Sequence, residues 1–457
     1  MALPAKESLS SQSFVIFGAT GDLTKRKLIP ALLHLYEKNV LPDSFLCISV
    51  GRREMDRAQF LKEVTLLLDE KDRELWDSFS QKIIYLSGSF EESSTYTRLS
   101  KLLESRPGDR LFYLATPPTS FAPVVKKLHE HRLVGGQKKI SRVIVEKPFG
   151  RDLASAIELE AELSKYLKES EIFRIDHYLG KELIYNLLSF RFSNPLIESF
   201  WKSQFIDHVS ITLSEEIGVG NRGAFWEETG LLRDLVQNHM MQIVSLVGME
   251  RPKAFTSLEI QNEKVRLIQA IRPLEASQVV RGQYGSQEKV PGYRQEKGVA
   301  ANSSVETFVA LKLFIDNPRW KNVPFYLKAG KRLAKKFTEI AIVFKSEDSS
   351  SVPNQLIFRV QPEEEIALIV NSSVPDLSHN QLESQPLTLP FKQIYGASIP
   401  DAYERLLYEA MLGDASHFVS FAELIASWRL MNPVLEYWKE NPPLDFPNYP
   451  AGSEGPK

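Results

Sequence analysis

Phe14-Val15-Ile16-Phe17-Gly18-Ala19-Thr20-Gly21-Asp22-Leu23-Thr24 reads as an apolar strand, a tight glycine turn and the first residues of a helix. Gly18 permits the turn, and the backbone N–H groups freed at a helix N-terminus can face a pyrophosphate. Ala19-Thr20 fills the middle of the motif in place of the full G-x-G-x-x-G, so the turn alone also suits a purely structural role. Its context favours a dinucleotide site. It follows the first expected strand and opens a helix patterned by Leu28, Leu32, Leu33 and Tyr36.

The alternation continues outward from this stretch. Apolar runs at Phe45–Val50, Lys82–Leu86, Arg110–Ala115 and Arg142–Val145 are separated by amphipathic segments, and Ile172–Ile175 adds a further strand. Continuous apolar strands with helices between them imply a parallel sheet covered on both faces. Beyond about residue 190 the pattern changes to polar–apolar alternation, the mark of strands buried on one face. It is found at His208–Glu215, Thr307–Ile315, Thr338–Phe344, Gln355–Val360 and Ile366–Val370, with helices expected at Gly230–Met249, Ala402–Leu412 and Phe421–Met431. The expected fold is an α/β Rossmann-like N-terminal domain over residues 1–190, binding the nucleotide, followed by an α+β domain over residues 191–457. The second domain should hold a large, mostly antiparallel sheet. Ser346–Pro353 reads as a polar loop.

The chain has 457 residues, 43% hydrophobic and 25% charged, with a net charge of -2. That balance describes an ordinary globular protein and argues against nucleic-acid binding, which usually shows as a basic excess. The single cysteine, Cys47, excludes an intramolecular disulfide and four-cysteine metal sites, and its strand setting suits a packed thiol. No metal site is expected. The polar stretch Met1–Ser13 has no apolar signal region and no window reaches the length of a membrane span, so the cytoplasm is the expected compartment.

Many NAD sites place an acid at the end of the second strand for the ribose hydroxyl. Here the strand ends in Gly51-Arg52-Arg53. Guanidinium groups suit a 2′-phosphate through charge-assisted bonding, which points to NADP. No G-x-x-x-x-G-K-[ST] occurs, so a P-loop nucleotide hydrolase is not expected.

Three segments carry groups suited to a sugar phosphate. Arg174-Ile175-Asp176-His177-Tyr178-Leu179-Gly180-Lys181-Glu182 packs an acid, an imidazole, a phenol and an ammonium around a glycine. His177 and Lys181 are four apart, so a helix would set them on one face, ready for a dianion. Gly230–His239 is a polar helix segment in which His239 sits with Asp234 and Asn238. On an ideal α-helix Asp234 and His239 are about 140° apart, so they would serve different parts of a ligand. Lys328-Ala329-Gly330-Lys331-Arg332-Leu333-Ala334-Lys335-Lys336 is a basic run that reads either as a solvated surface or, given its glycine, as a close approach to a ligand. Removing hydride from a hemiacetal carbon requires a base for the hydroxyl proton, and neutral imidazole suits that near pH 7. A carboxylate on the far nitrogen would fix its tautomer, and Asp176 is a candidate partner for His239.

Together these motifs resemble the glucose-6-phosphate dehydrogenase family, from Phe14 to about Pro456. The markers are Gly18–Leu23, Glu146-Lys147-Pro148-Phe149-Gly150, Arg174–Glu182, Arg233–Gln242, Pro324–Lys336 and Asp401–Leu412. The resemblance implies NADP-dependent oxidation of D-glucose 6-phosphate at C1 to 6-phospho-D-glucono-1,5-lactone, the first step of the oxidative pentose phosphate pathway. It makes His239 the base and Asp176 its orienting acid. By the same resemblance His177, Tyr178 and Lys181 hold the 6-phosphate, and Glu215, Asp234, Lys331 and Lys336 contact the sugar or its phosphate. It places Gly18, Ala19, Thr20, Gly21, Asp22, Leu23, Arg52 and Lys147 on the cofactor, with Lys147 near the reacting centre. It also implies a homodimer or homotetramer built through the second domain's sheet, without membrane or nucleic-acid partners. Four positions depart from the family pattern: Lys328-Ala329 replaces Arg-Thr, Thr24 replaces a common alanine, and Tyr185 replaces a glutamine. None removes a catalytic group.

A glucose–fructose oxidoreductase shares Glu-Lys-Pro after a Rossmann strand but does not explain the Arg174–Glu182 segment. The Tyr-x-x-x-Lys of a short-chain dehydrogenase occurs only as Tyr293 to Lys297, between Pro291-Gly292 and Gly298, in a loop. A non-catalytic NADP sensor would not need His239, Asp176 and Lys181 together.

Overall fold

The computed structural model describes residues 9–106, 108–136, 139–346, 352–375, 381–396 and 399–456. Most of the expected loop at Ser346–Pro353 lies outside the described residues, as do the first eight residues. The chain forms two compact units. The first comprises Met1–Gly180, Ala254–Gln261 and Pro400–Leu424, and the second Lys181–Lys253, Asn262–Ile399 and Ile425–Lys457.

The first unit is built on six parallel strands: β1 (Gln12–Phe17), β2 (Leu46–Gly51), β3 (Ile83–Ser87), β4 (Asp109–Leu114), β5 (Ser141–Glu146) and β6 (Ile172–Ile175). Their order is β3-β2-β1-β4-β5-β6, the doubly wound arrangement. Every residue of β1 and β2 is buried, as continuous apolar strands covered on both faces must be. The order reverses between β1 and β4, and ligands bind such sheets in the crevice at the carboxyl ends of the strands there. Cys47 is buried in β2, where burial pushes its thiol pKa up to about 12, so it stays an inert packed thiol.

The helix Ala402–Leu412 forms as expected. Asp401 caps it by accepting from the N–H of Tyr403 at 2.9 Å, and Gly413 ends it at φ 82°. Leu406, Leu407, Ala410 and Met411 join the same core as Leu28, Leu32 and Leu33. His34 bridges the polar edge of this packing, at 2.8 Å from Glu404 and 3.0 Å from Asp72.

In the second unit, β7 (Ile206–Glu215), β8 (Val280–Gly282), β10 (Phe308–Leu313), β11 (Phe325–Lys331), β12 (Phe337–Phe344), β13 (Gln355–Gln361), β14 (Glu365–Ser373) and β15 (Leu382–Pro390) form one sheet. Two short strands, β9 (Tyr284–Gly285) and β16 (Tyr449–Pro450), pair separately. The large sheet runs β15-β14-β13-β12-β7-β11-β10-β8 and is antiparallel except for the parallel pair β7–β11. The mostly antiparallel sheet is therefore present. No helix among the described residues is long and apolar enough to cross a membrane.

The helix expected at Gly230–Met249 is more elaborate than its periodicity implies. A helix over Gly223–Leu231 is kinked at Gly230 (φ 67°, ψ 171°), a nine-residue π-helix covers Leu232–Met240, and an α-helix completes Met241–Gly248.

Candidate active site

In the first unit the turn after β1 sits at the reversal of strand order. Gly18 has φ 95°, and a Cβ there would lie 2.1 Å from the carbonyl oxygen of Ala115, just beyond β4. Only glycine fits, which supplies the physical reason for the motif. The N–H groups of Gly18 and Ala19 both donate to the Val50 carbonyl at 3.0 Å, and Gly21 N–H donates to Gly18. Ala19 is buried, Thr20 and Leu23 are half-buried, and Gly21 and Asp22 are exposed. Thr24, one of the departures from the family pattern, is buried and donates its Oγ1 hydrogen to the Gly18 carbonyl at 3.0 Å. It closes the turn from inside.

The two arginines after β2 have different fates. Arg53 pairs with Glu63 at 2.6 Å. Arg52 is exposed, 6.0 Å above the Phe90 ring, and pairs with no carboxylate among the described residues. This turn and the free guanidinium suit a dinucleotide with a 2′-phosphate.

Glu146 and Lys147 follow at the end of β5, both half-buried, with a cis peptide between Lys147 and Pro148. The Glu146 carboxylate accepts from the hydroxyls of Tyr113 and Tyr403. Burial raises its pKa above the ordinary carboxylate value, against the stabilising effect of those hydroxyls.

Asp176, immediately after β6, is buried, and its Oδ1 accepts from the N–H of Tyr178 at 3.0 Å. Residues 177–180 form a turn, with Leu179 N–H on the Asp176 carbonyl and Gly180 N–H on that of His177. The one-helix-face argument for His177 and Lys181 therefore fails, because the following helix starts only at Glu182. The glycine explains why: a Cβ on Gly180 would lie 2.5 Å from the Ala402 carbonyl, so the turn packs directly on the helix Ala402–Leu412. His177 is half-buried, edge-on to the buried Tyr178 at 5.1 Å and parallel to the ring of Tyr403 at 6.4 Å.

In the second unit Lys181 precedes the helix Glu182–Ser193 and donates to Gln361 Oε1 at 2.7 Å. Gln361 in turn donates to Thr338 Oγ1 at 2.9 Å. Nothing local in the sequence marks a glutamine 180 residues away as a lysine's partner.

The basic run divides: Lys328–Lys331 belongs to the strand Phe325–Lys331, whereas Ala334, Lys335 and Lys336 are exposed beyond its end. Lys331 ends β11 opposite Glu215, which ends β7, because the two strands run parallel in that register. Lys331 is buried, ion-paired to Glu215 and 4.6 Å above the Trp226 ring. A Cβ on Gly330 would lie 2.8 Å from the side chains of Leu333 and Phe308, so that glycine answers to core packing and not to a ligand. Lys336 is exposed just before β12.

His239 is buried and Asp234 half-buried in the π-helix. The α-helical separation expected for them is corrected by the i→i+5 register, which brings residues five apart roughly one turn above each other. Both therefore face the same side. Asn238 donates to the Arg233 carbonyl at 2.8 Å, and Ser427 donates to that of Gln237 at 2.8 Å.

Residues 15–186 match the family described as "Glucose-6-phosphate dehydrogenase, NAD binding domain", and residues 188–457 its "C-terminal domain". The glucose-6-phosphate 1-dehydrogenase of Chlamydia pneumoniae is 46% identical, over 97% of this chain and 92% of its own length. A solved glucose-6-phosphate dehydrogenase in complex with its substrate superposes with a TM-score of 0.92 at 36% identity, covering 100% of this chain and 97% of that one. The glucose-6-phosphate 1-dehydrogenase from Mycobacterium avium gives 0.82 at 33% identity, with 98% and 96% covered.

Proposed function

The chain belongs to the glucose-6-phosphate dehydrogenase family, and from that premise we propose how its residues divide the work of the reaction. The reaction is oxidation of D-glucose 6-phosphate at C1 to 6-phospho-D-glucono-1,5-lactone, the first step of the oxidative pentose phosphate pathway. The single observation that carries this assignment is the likeness over the entire chain to a structure solved with glucose 6-phosphate.

NADP is the proposed cofactor, held by Gly18, Ala19, Thr20, Gly21, Asp22 and Leu23 at the turn, by Arg52 at the 2′-phosphate and by Lys147. The exposed guanidinium of Arg52 and the lack of an acid at the end of β2 support NADP over NAD. When bound, the nicotinamide accepts the hydride from C1. His239 is the base: an imidazole nitrogen takes the C1 hydroxyl proton, and the O–H electron pair becomes the second C–O bond of the lactone. Asp176 fixes its tautomer and stabilises the imidazolium. His177, Tyr178 and Lys181 hold the 6-phosphate, while Glu215, Asp234, Lys331 and Lys336 hold the sugar or its phosphate. The ion pair of buried Lys331 with half-buried Glu215 supports this, since it offers a donor and an acceptor fixed side by side.

We further propose a cytoplasmic homo-oligomer, dimer or tetramer, formed through the large sheet. Leu382, Leu387 and Leu389 stand exposed on its edge strand β15, which supports that reading.

Mixing the purified chain with glucose 6-phosphate and NADP should raise the nicotinamide absorbance, and its failure to do so would overturn the assignment. Lys181→Ala should raise KM for glucose 6-phosphate by about 10–100-fold, the worth of a charge-assisted bond, while sparing the poor reaction of free glucose. Equal damage to both substrates would remove Lys181 from the phosphate.

A further inference from the structure

The segment carrying Asp234 and His239 has no local cap. Gly230, at the position where Ser, Thr, Asp or Asn would ordinarily accept the first N–H groups, has no side chain and takes φ 67°. Those donors are met from 74 residues away: Leu232 N–H donates to Glu306 Oε1 at 2.9 Å, and Leu231 N–H to the Glu306 main-chain carbonyl at 3.2 Å. A Cβ on Gly230 would lie 2.5 Å from the same Oε1, so the glycine is what lets the carboxylate come this close.

Glu306 is buried just before β10. Burial raises its pKa, and the Leu232 N–H opposes that shift. Its neighbour Thr307 accepts from the N–H of Lys331 at 2.9 Å, so one dipeptide joins the start of the π-helix to the strand end that carries Lys331. The far end of the helical run is pinned as well. Arg191 donates to the carbonyls of Leu246, Val247 and Met249, the Trp201 indole N–H to Val247, and that of Trp320 to Gly248. An anionic group at the N-terminus and a cation at the C-terminus both complement the helix dipole.

Such pinning bears on register. A nine-residue π-helix exceeds the usual single-turn bulge and would relax toward i→i+4 bonding unless its start and the helix that continues it were held. Relaxation would turn Asp234 and His239 about 140° apart and end their shared face. We infer that Glu306 is a positioning residue for the reaction, holding Leu232–Met240 in the π register that aims Asp234 and His239 together.

This inference rests on His239 being the base. The test is single-turnover hydride transfer from glucose 6-phosphate to NADP, followed by nicotinamide absorbance in Glu306→Gln, Glu306→Ala and His239→Asn. A positioning role lowers the rate constant at full amplitude, whereas a merely structural one lowers the amplitude and leaves the rate constant alone. Glu306→Gln, which keeps one acceptor oxygen and the shape, should slow the step about 3–10-fold, and Glu306→Ala about 100-fold, the scale of a 1 Å misplacement. NADP affinity should be unchanged in both. If Glu306→Ala does not fold, Glu306→Gln decides alone. A wild-type rate constant in Glu306→Gln, or a loss confined to amplitude, overturns the inference. His239→Asn separates the two readings: if it keeps the wild-type rate constant the base assignment fails, and if it is slow while the Glu306 variants are fast, only the positioning role fails.

Discussion

Two π-helical segments, Thr24–Leu28 in the first unit and Leu232–Met240 in the second, each follow a glycine at positive φ, Gly18 and Gly230. They are held in opposite ways. The first is held close by: Thr24 Oγ1 reaches Gly18, six residues back, and the N–H groups of Gly18 and Ala19 reach the adjacent strand at Val50. The second is anchored at its start from Glu306, and the α-helix Met241–Gly248 that continues it is anchored at its far end from Arg191, Trp201 and Trp320. The proposed cofactor turn needs a tight bend, which local sequence supplies, and one neighbouring strand to close on. A base and a carboxylate aimed at one sugar need a fixed rotation about the helix axis, and that is set from outside the helix.

If the two segments are separate devices, damage to one should spare the other. The largest effect is expected at His239. His239→Asn should lower kcat by roughly 10²–10⁴-fold, with the acidic limb of the kcat/KM profile lost, because that limb reports protonation of the base. Cofactor affinity, measured by titration, should hold. Asp176→Asn should give a smaller fall in the same direction. A His239→Asn variant with wild-type kcat would move the base elsewhere, His177 first.

At the nucleotide turn the expected effects are smaller and fall on binding. Arg52→Ala should weaken NADP by about 1.5–3 kcal/mol and NAD much less, since only NADP offers the phosphate. Equal losses would separate Arg52 from the 2′-phosphate. Thr24→Ala removes the buried hydrogen bond that closes the turn and should cost about 1 kcal/mol of stability in denaturant unfolding, with kcat unchanged at saturating cofactor. A fall in saturated kcat would show that the turn is coupled to the chemistry after all.

A further effect concerns pH and lies away from both segments. The hydrogen bond that His34 donates to the Glu404 carboxylate, with help from Asp72, raises the pKa of His34 despite partial burial. A folded-state pKa above the unfolded value adds stability that is complete below about pH 6.5 and disappears as pH rises through the folded pKa. His34→Gln should therefore cost about 1.5 kcal/mol near pH 6, the usual worth of a hydrogen bond to a charged group, and less near pH 9. A cost that does not change between those conditions would mean that His34 is neutral in the folded protein.

The sequence by itself determined the six parallel strands and the glycine turn. Apolar runs, a helical repeat and a residue that alone tolerates Gly18's φ are properties of neighbours in the chain. It also brought forward Asp176, His177, Lys181 and His239, through residue types grouped within short motifs. Local pattern did not distinguish Arg52 from Arg53, which only the family resemblance separated, because Glu63 takes Arg53 only once the second strand and the following helix have packed. Nor could it show that His177 and Lys181 share no helix, that the basic run begins in a strand whose last residue, Lys331, is buried, or that Asp234 and His239 lie on one face. Those outcomes depend on which distant atoms come within hydrogen-bonding reach: Lys331 finds Glu215 across 116 residues, Lys181 finds Gln361 across 180, and Leu232 finds Glu306 across 74. Local periodicity sets which face of an element is apolar, whereas hydrogen-bond register and ion pairing are set by the partners that packing delivers, and here only the tertiary structure decided them.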